Sequence, residues 1–199
     1  MGNCVFYSGL IDYHEIIECI SGALDAKDPY TAGHSQRVSD MSLIVCGLMD
    51  VPCDIAEKVH IAAHLHDIGK IGIPDAILNK EDKLNEWEWE IIKKHPQIGA
   101  DILSKSAHLA EMKDIVLHHH ERYDGLGYPD GLGGEDIPLG ARIIALCDSI
   151  DAMTSTRRYR KAHSFEYCYG EIERNLSKMY DPIIGKVVLE HWQDIIGGI

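Results

Sequence analysis

The chain has 199 residues, 45% of them hydrophobic, and a formal net charge of −13. That length supports one domain with a substantial core. The acidic balance argues against a general nucleic-acid binder, and no apolar run approaches the roughly 20 residues that span a bilayer.

Met1–Gly9 is set aside as a stretch that cloning can leave behind, and residues 1–27 read as an N-terminal helix ahead of a domain at 28–199. No basic stretch followed by an apolar core opens the chain, so no secretion signal is expected. Asp28-Pro29 reads as an N-cap with proline at the first helical position. Behind it His34, Val38, Met41, Val45 and Leu48 recur at helical spacing. Pro52 restarts the chain, and Ile55, Val59, Ala62 and His66 share one face of the next helix. Asn85 and Glu88 resemble a capping box before a helix over Trp87 to His95. Pro96 interrupts that helix or starts another. Ala107 to His120 reads as a helix with Met112, Ile115, Val116 and His119 near one face. A glycine-rich loop follows from Asp124 to Pro138, and such loops inside compact domains are usually functional or mobile. Leu139 to Ala152 is helical. Ser164 caps a helix through Leu176, and Asp181-Pro182 starts a last one to about Ile195. No period-two strand and no repeat is visible. The expected fold is all-α, one helical bundle with a long glycine-rich active loop.

Six cysteines are scattered along the chain without a Cys-x-x-Cys pair. They read as reduced, mostly buried thiols of a cytoplasmic protein.

Two segments carry the chemistry. One is His66-Asp67-Ile68-Gly69-Lys70. The other is His118-His119-His120-Glu121, running on to Gly127-Tyr128-Pro129. Imidazole with carboxylate is a donor set for divalent transition metals, and a carboxylate can bridge two of them. His34, His95, His119 and His120 also lie on inward-facing positions, and Asp148 follows Ile144 by one turn. Each alone has a plainer reading as a hydrogen-bonded core residue. A buried, unpaired carboxylate is costly, however. Inward imidazoles and acids on several helices share a reason to be buried if they surround metal. Metal would also give an anionic ligand a positive site within an acidic molecule.

Other polar residues are weaker candidates. Lys70 follows Asp67 by three residues and can hold a phosphate oxygen, or simply sit at a helix end. Arg157, Arg158, Arg160 and Lys161 are either a clamp for phosphates or guanine, or a solvated helix end. His60 and His64 are one turn apart and could form a surface metal pair; His64 points nearly opposite to His66, however, and the solvated-face reading is preferred for both. His118 points away from its two neighbours. His14, His108, His163 and His191 lack a supporting pattern.

From about Asp28 to Pro182 the motifs resemble the HD-GYP family of bacterial phosphodiesterases, a branch of the HD metal-dependent phosphohydrolases. Gly33-His34-Ser35-Gln36-Arg37-Val38 resembles its opening motif. His66-Asp67 through Pro74 resembles the HD motif, and Lys94-His95-Pro96 with Gly99 the next. His119-His120-Glu121 through Gly127-Tyr128-Pro129 resembles the signature loop. Asp148, Asp151-Ala152-Met153-Thr154-Ser155, Arg157 and Tyr159-Arg160 resemble the last block. The resemblance implies an all-helical HD fold and hydrolysis of cyclic di-GMP to pGpG and then GMP, through a hydroxide bridging two metals. It implies metal ligands at His34, His66, Asp67, His95, His119, His120 and Asp148, with Asp67 bridging two ions, most often iron or manganese. It places Lys70 near the scissile phosphate, and Arg157 and Arg160 on the ligand, with Gly127, Tyr128 and Pro129 in the substrate loop. Tyr30 stands where relatives with a third metal carry glutamate, which favours two ions. Arg158 replaces a customary proline.

Asp67 and Lys70 are thus the expected catalytic residues. Glu121 and Asp124 are weaker candidates for passing a proton to the leaving group. Two other readings stand beside this one. The same centre could cleave cyclic GMP-AMP or another nucleotide phosphate ester, because motifs locate metals better than base pockets. A non-enzymatic cyclic-dinucleotide receptor is the third, disfavoured by the complete ligand set. Most relatives carry an N-terminal sensory or receiver domain, so the chain is expected to be a stand-alone enzyme or an excised domain. A homodimer or a regulatory domain is the expected protein partner.

Overall fold

The structure, a computed structural model, describes residues 13–27, 33–156 and 161–197. Among these the only regular elements are helices, as expected: α1 (Tyr13–Lys27), α2 (His34–Leu48), α3 (Cys53–Leu65), α4 (Asp75–Leu78), α5 (Glu86–Ile92), α6 (His95–Leu103), α7 (Lys113–Leu117), α8 (Leu139–Thr154), α9 (Phe165–Arg174), α10 (Pro182–Glu190) and α11 (Trp192–Ile196). Short 3₁₀ turns lie at Ile68–Gly72, Leu109–Met112 and Gly134–Asp136. Among the described residues no helix is long and apolar enough to cross a membrane.

Helix α2 packs on both α3 and α8. Its periodic residues Val38, Met41 and Val45 are fully or almost fully buried, and they meet Val59 and Ala62 of α3 and Ile143 and Ile144 of α8 in one core. Ile55 departs from the expected inward face of α3 and is exposed.

Caps set the boundaries where the sequence placed them. Asn85 and Glu88 form a reciprocal capping box on α5. Ser164 accepts from the Tyr167 amide at the start of α9. Asp181 Oδ1 accepts from the Ile183 and Ile184 amides at the start of α10, with Pro182 at its first position. The Asp28-Pro29 start lies outside the described residues.

Three departures affect the interior. The stretch from Ala107 to His120 is not one helix. A 3₁₀ turn leads into the short α7, and His118–His120 form a turn beyond its end. On a continuous helix, adjacent side chains diverge by about 100°; the turn instead lets His119 and His120 lie side by side, with ring centroids 4.0 Å apart. The last predicted helix breaks at His191 into α10 and α11. Finally, His60 and His64 do not form a solvated face. Helix α1 lies over α3, burying Ile17 and Leu24, and Ser21 Oγ donates to the His64 carbonyl at 3.0 Å. His64 is consequently buried and His60 half-buried.

Candidate metal centre

Asp67 follows the end of α3 and opens the Ile68–Gly72 turn. Its two oxygens face different histidines. Oδ1 lies 3.3 Å from His95 Nε2. Oδ2 lies 3.4 Å from His66 Nε2 and 3.9 Å from His34 Nε2. Ligand-capable atoms of His34, His66 and Asp67 cluster within 4.8 Å of one another, as do those of Asp67, His95, His119 and His120. One carboxylate thus belongs to both groups. Asp148 Oδ1 joins the first side, 3.3 Å from His34 Nε2. All seven expected ligand side chains therefore come together.

The sequence folds this way through close approaches and helix ends. Gly69 is required because an ideal Cβ there would stand 1.8 Å from the His95 carbonyl oxygen. The turn carrying Asp67 can therefore press against the start of α6. Gly127 plays the same part for the signature loop, since a Cβ would meet the Arg122 amide nitrogen at 2.4 Å and the His120 carbonyl at 2.6 Å.

Hydrogen bonds assign the ring protons. His66 Nδ1 faces the Ala63 carbonyl at 2.6 Å, His95 Nδ1 that of Ile92 at 2.8 Å, and His119 Nδ1 that of Val116 at 2.7 Å. These carbonyls lie in the last turns of α3, α5 and α7, where helices leave acceptors unpaired. His34 Nδ1 faces Asp151 Oδ2 at 2.6 Å. Carbonyls and carboxylates only accept, so each Nδ1 carries a proton, and in the neutral ring each Nε2 presents a lone pair. Yet Nε2 meets Nε2 at 3.3 Å between His34 and His66, and at 3.4 Å between His95 and His119. Facing lone pairs call for a cation. Metal–imidazole bonds of about 2.0–2.1 Å at a tetrahedral angle would separate two nitrogens by about 3.3 Å. The residues fit a divalent transition metal on each side of Asp67.

Charge supports the same fit. Burial, helped by His66 and His95, lowers the His119 imidazole to about 3. Burial and His119 hold His120 well below the ordinary value, and burial lowers His95 as well. These rings are neutral donors at neutral pH. Burial also acts to lower His66, but Asp67 and Asp148 overcome it and raise the group. Burial acts to raise Asp67, and Lys70 with His66 outweighs it, keeping the carboxylate ionised. Lys70 Nζ lies 2.6 Å from Asp67 Oδ2, so it does reach the centre.

Asp151 is the residue whose role the sequence reading missed. It is buried and accepts from both His34 Nδ1 and Arg37 Nε, the latter at 2.5 Å. Burial acts to raise its carboxyl, but the His34 and Arg37 hydrogen bonds hold it at about 2. The available signal was its place one turn after Asp148 on an inward helix face.

The loop residues divide. Tyr128 packs beside His120, ring centroids 4.9 Å apart, and edge-on to Trp89 at 6.4 Å. Glu121 is buried; its Oε1 accepts from the Asp130 and Gly131 amides, and its Oε2 has no partner among the described residues. His118 lies between the Asp114 carbonyl and Asp130 Oδ2, away from the ligand cluster. Asp124 departs from a proton-relay role. Arg122 binds both its oxygens, at 3.0 and 2.6 Å, and that hydrogen bonding lowers its pKa, so it is a poor acid. Tyr30, Arg157, Arg158, Tyr159 and Arg160 lie outside the described residues.

The chain resembles known proteins over most of its length. The chain is 39% identical over 183 residues to a cyclic di-GMP phosphodiesterase of Thermotoga maritima, covering 91% of this chain and 50% of that protein. It is 35% identical over 184 residues to 3′3′-cGAMP-specific phosphodiesterase 2 of Vibrio cholerae, covering 92% of this chain and 35% of that one. The chain thus spans half or less of these relatives' length. An HDG"Y"P protein from Bdellovibrio bacteriovorus superposes with a TM-score of 0.65 at 16% identity, over 90% of this chain and 60% of that one; this likeness concerns the fold. The family model of the HD domain matches residues 18–184, which include every histidine and aspartate of the centre. The chain therefore belongs to the HD domain family, whose phosphohydrolases depend on metal.

Proposed function

We propose that this domain hydrolyses the phosphodiester bonds of cyclic di-GMP, giving linear pGpG and, after a second cleavage, GMP. One observation carries the reading: a single carboxylate, Asp67, turns one oxygen to each of two histidine groups. That is the arrangement of a bridged two-metal hydrolase. His34, His66 and Asp148 would hold one ion, and His95, His119 and His120 the other, with Asp67 shared. The mixed nitrogen and oxygen donors suit iron or manganese. Two such ions would lower the pKa of bound water and offset phosphate charge.

The chain's own residues supply the rest. Lys70 adds a positive charge beside Asp67, where a phosphate oxygen would come to lie. Tyr128, beside His120, and Trp89, edge-on to Tyr128, present aromatic surface suited to a guanine base. Glu121 fixes the loop backbone behind them. Arg157 and Arg160 belong to this reading as phosphate and guanine contacts on the strength of the family resemblance. In hydrolysis water adds to phosphorus and the bond to the 3′ oxygen breaks, that oxygen leaving with a proton.

Cyclic GMP-AMP is the second reading, favoured by the name of the Vibrio relative. Initial rates on both dinucleotides, with manganese- or iron-loaded protein at matched metal content, separate the two. The expected result is faster cleavage of cyclic di-GMP, and no cleavage of either by Asp67→Asn. Wild-type turnover by metal-loaded Asp67→Asn would sink the shared-carboxylate assignment.

A further inference from the structure

His64 lies on the side of α3 opposite His66, since two residues rotate the helix by about 200°. It is 1% exposed, and neither ring nitrogen has a partner among the described residues. Leaving a buried polar group unsatisfied is costly. Its neighbours are two further imidazoles, His60 one turn earlier on α3 and His14 on α1. One nitrogen from each of the three lies within 4.8 Å of the others.

The surroundings assign the protons of this trio. Ser39 Oγ lies 2.9 Å from the His60 carbonyl, which only accepts, so the single hydroxyl proton goes there. His60 Nδ1, 2.6 Å from the same Oγ, must then be the donor. His14 Nδ1 faces Glu18 Oε1 at 3.2 Å, and it too carries a proton. With both rings neutral, the two Nε2 atoms carry lone pairs, and they face one another at 3.0 Å. This repeats, outside the hydrolytic centre, the pattern of facing lone pairs found within it.

We infer that His14, His60 and His64 form a separate binding site for a zinc-class divalent ion that clamps α1 to α3. A ligand set of three imidazoles with no carboxylate or thiolate favours zinc, nickel or copper over magnesium or manganese. Zinc accepts three histidines with water in the fourth place. Its nitrogen ligands stand about 3.3 Å apart in tetrahedral geometry, so His14 and His60, whose Nε2 atoms are 3.0 Å apart, need to part by only about 0.3 Å, while His64, within 4.8 Å of both, closes on them. Both Nδ1 protons already point at oxygen acceptors, which fixes ring orientation as ligand histidines require. The inference does not depend on the phosphodiesterase reading, because the trio shares no residue with the hydrolytic centre.

Zinc content decides it. Protein stripped with chelator is dialysed against zinc, and bound metal per chain is measured for the wild type, His14→Ala and His60→Gln. The His14 side chain is 41% exposed, so its removal opens no core. The expected result is one zinc fewer per chain in each variant than in the wild type, with a smaller zinc-induced rise in melting temperature. Zinc content equal to wild type in folded His14→Ala or folded His60→Gln overturns the inference, and would leave a proton shared between two imidazoles in place of the ion.

Discussion

Asp151 illustrates how a residue that binds no metal can govern one that would. Its carboxylate fixes the tautomer of His34 and is itself held by Arg37. Partners of this kind typically account for about 10–100-fold in metal affinity or activity. Asp151→Asn should therefore weaken metal binding by that factor, read by competition with a chromogenic chelator, while circular dichroism stays unchanged. The residues that gather at the centre were legible because histidine and aspartate recur at positions where the helical period demands apolar residues. Asp151 was quoted only as part of a motif, since nothing in a one-dimensional pattern says which imidazole a second carboxylate will meet. His60 and His64 were misread for a related reason. Their burial is created by α1, whose His14 and Ser21 lie 46 and 43 residues before the atoms they meet, and no spacing within α3 announces it.

Among the elements, caps and the breaks marked by Pro52 and Pro96 were readable, and the breaks at His118 and His191 were not. Asn85, Ser164 and Asp181 all cap where their side-chain chemistry implied. The break before His118 escaped notice because the apolar period continues through it. Asp181 has a second duty beyond its cap: Oδ2 accepts from Arg142 Nη1 at 2.5 Å, tying α10 to α8 in a nearly dry setting. Removing one member of such a pair strands the other, at about 3–5 kcal/mol, with the lost cap costing ~1 kcal/mol on its own. Asp181→Ala should lower the urea midpoint accordingly, and Asp181→Asn, which keeps a capping oxygen, should recover part of the loss.

For the molecule as a whole, stability should follow metal and acid. Any ion that binds only the folded chain adds RT ln(1 + [M]/Kd), about 2.7 kcal/mol at a hundredfold excess over Kd. Exhaustive chelation should thus lower the melting temperature, and adding manganese back should restore it, in calorimetric scans. Acid acts through Asp151. As pH falls through 3.8, the unfolded chain takes up a proton there first; the folded chain resists until about 2. Stability supplied by this group is therefore complete above that window and lost on descending it. Urea titrations of metal-free protein between pH 5 and 2.5, conditions chosen to span that loss, should show a steeper decline for wild type than for Asp151→Asn.

The carbonyls of Ala63, Ile92 and Val116 are stoppers as well as hinges for the imidazoles that touch them. Each would be left dangling at a helix end if its histidine were truncated. Alanine at His66, His95 or His119 should accordingly fray a helix even in protein that has never met an ion. Kinetic defects in those variants would mix lost chemistry with lost architecture. Asp67→Asn, which caps no helix end, is the cleaner instrument for asking what the centre does.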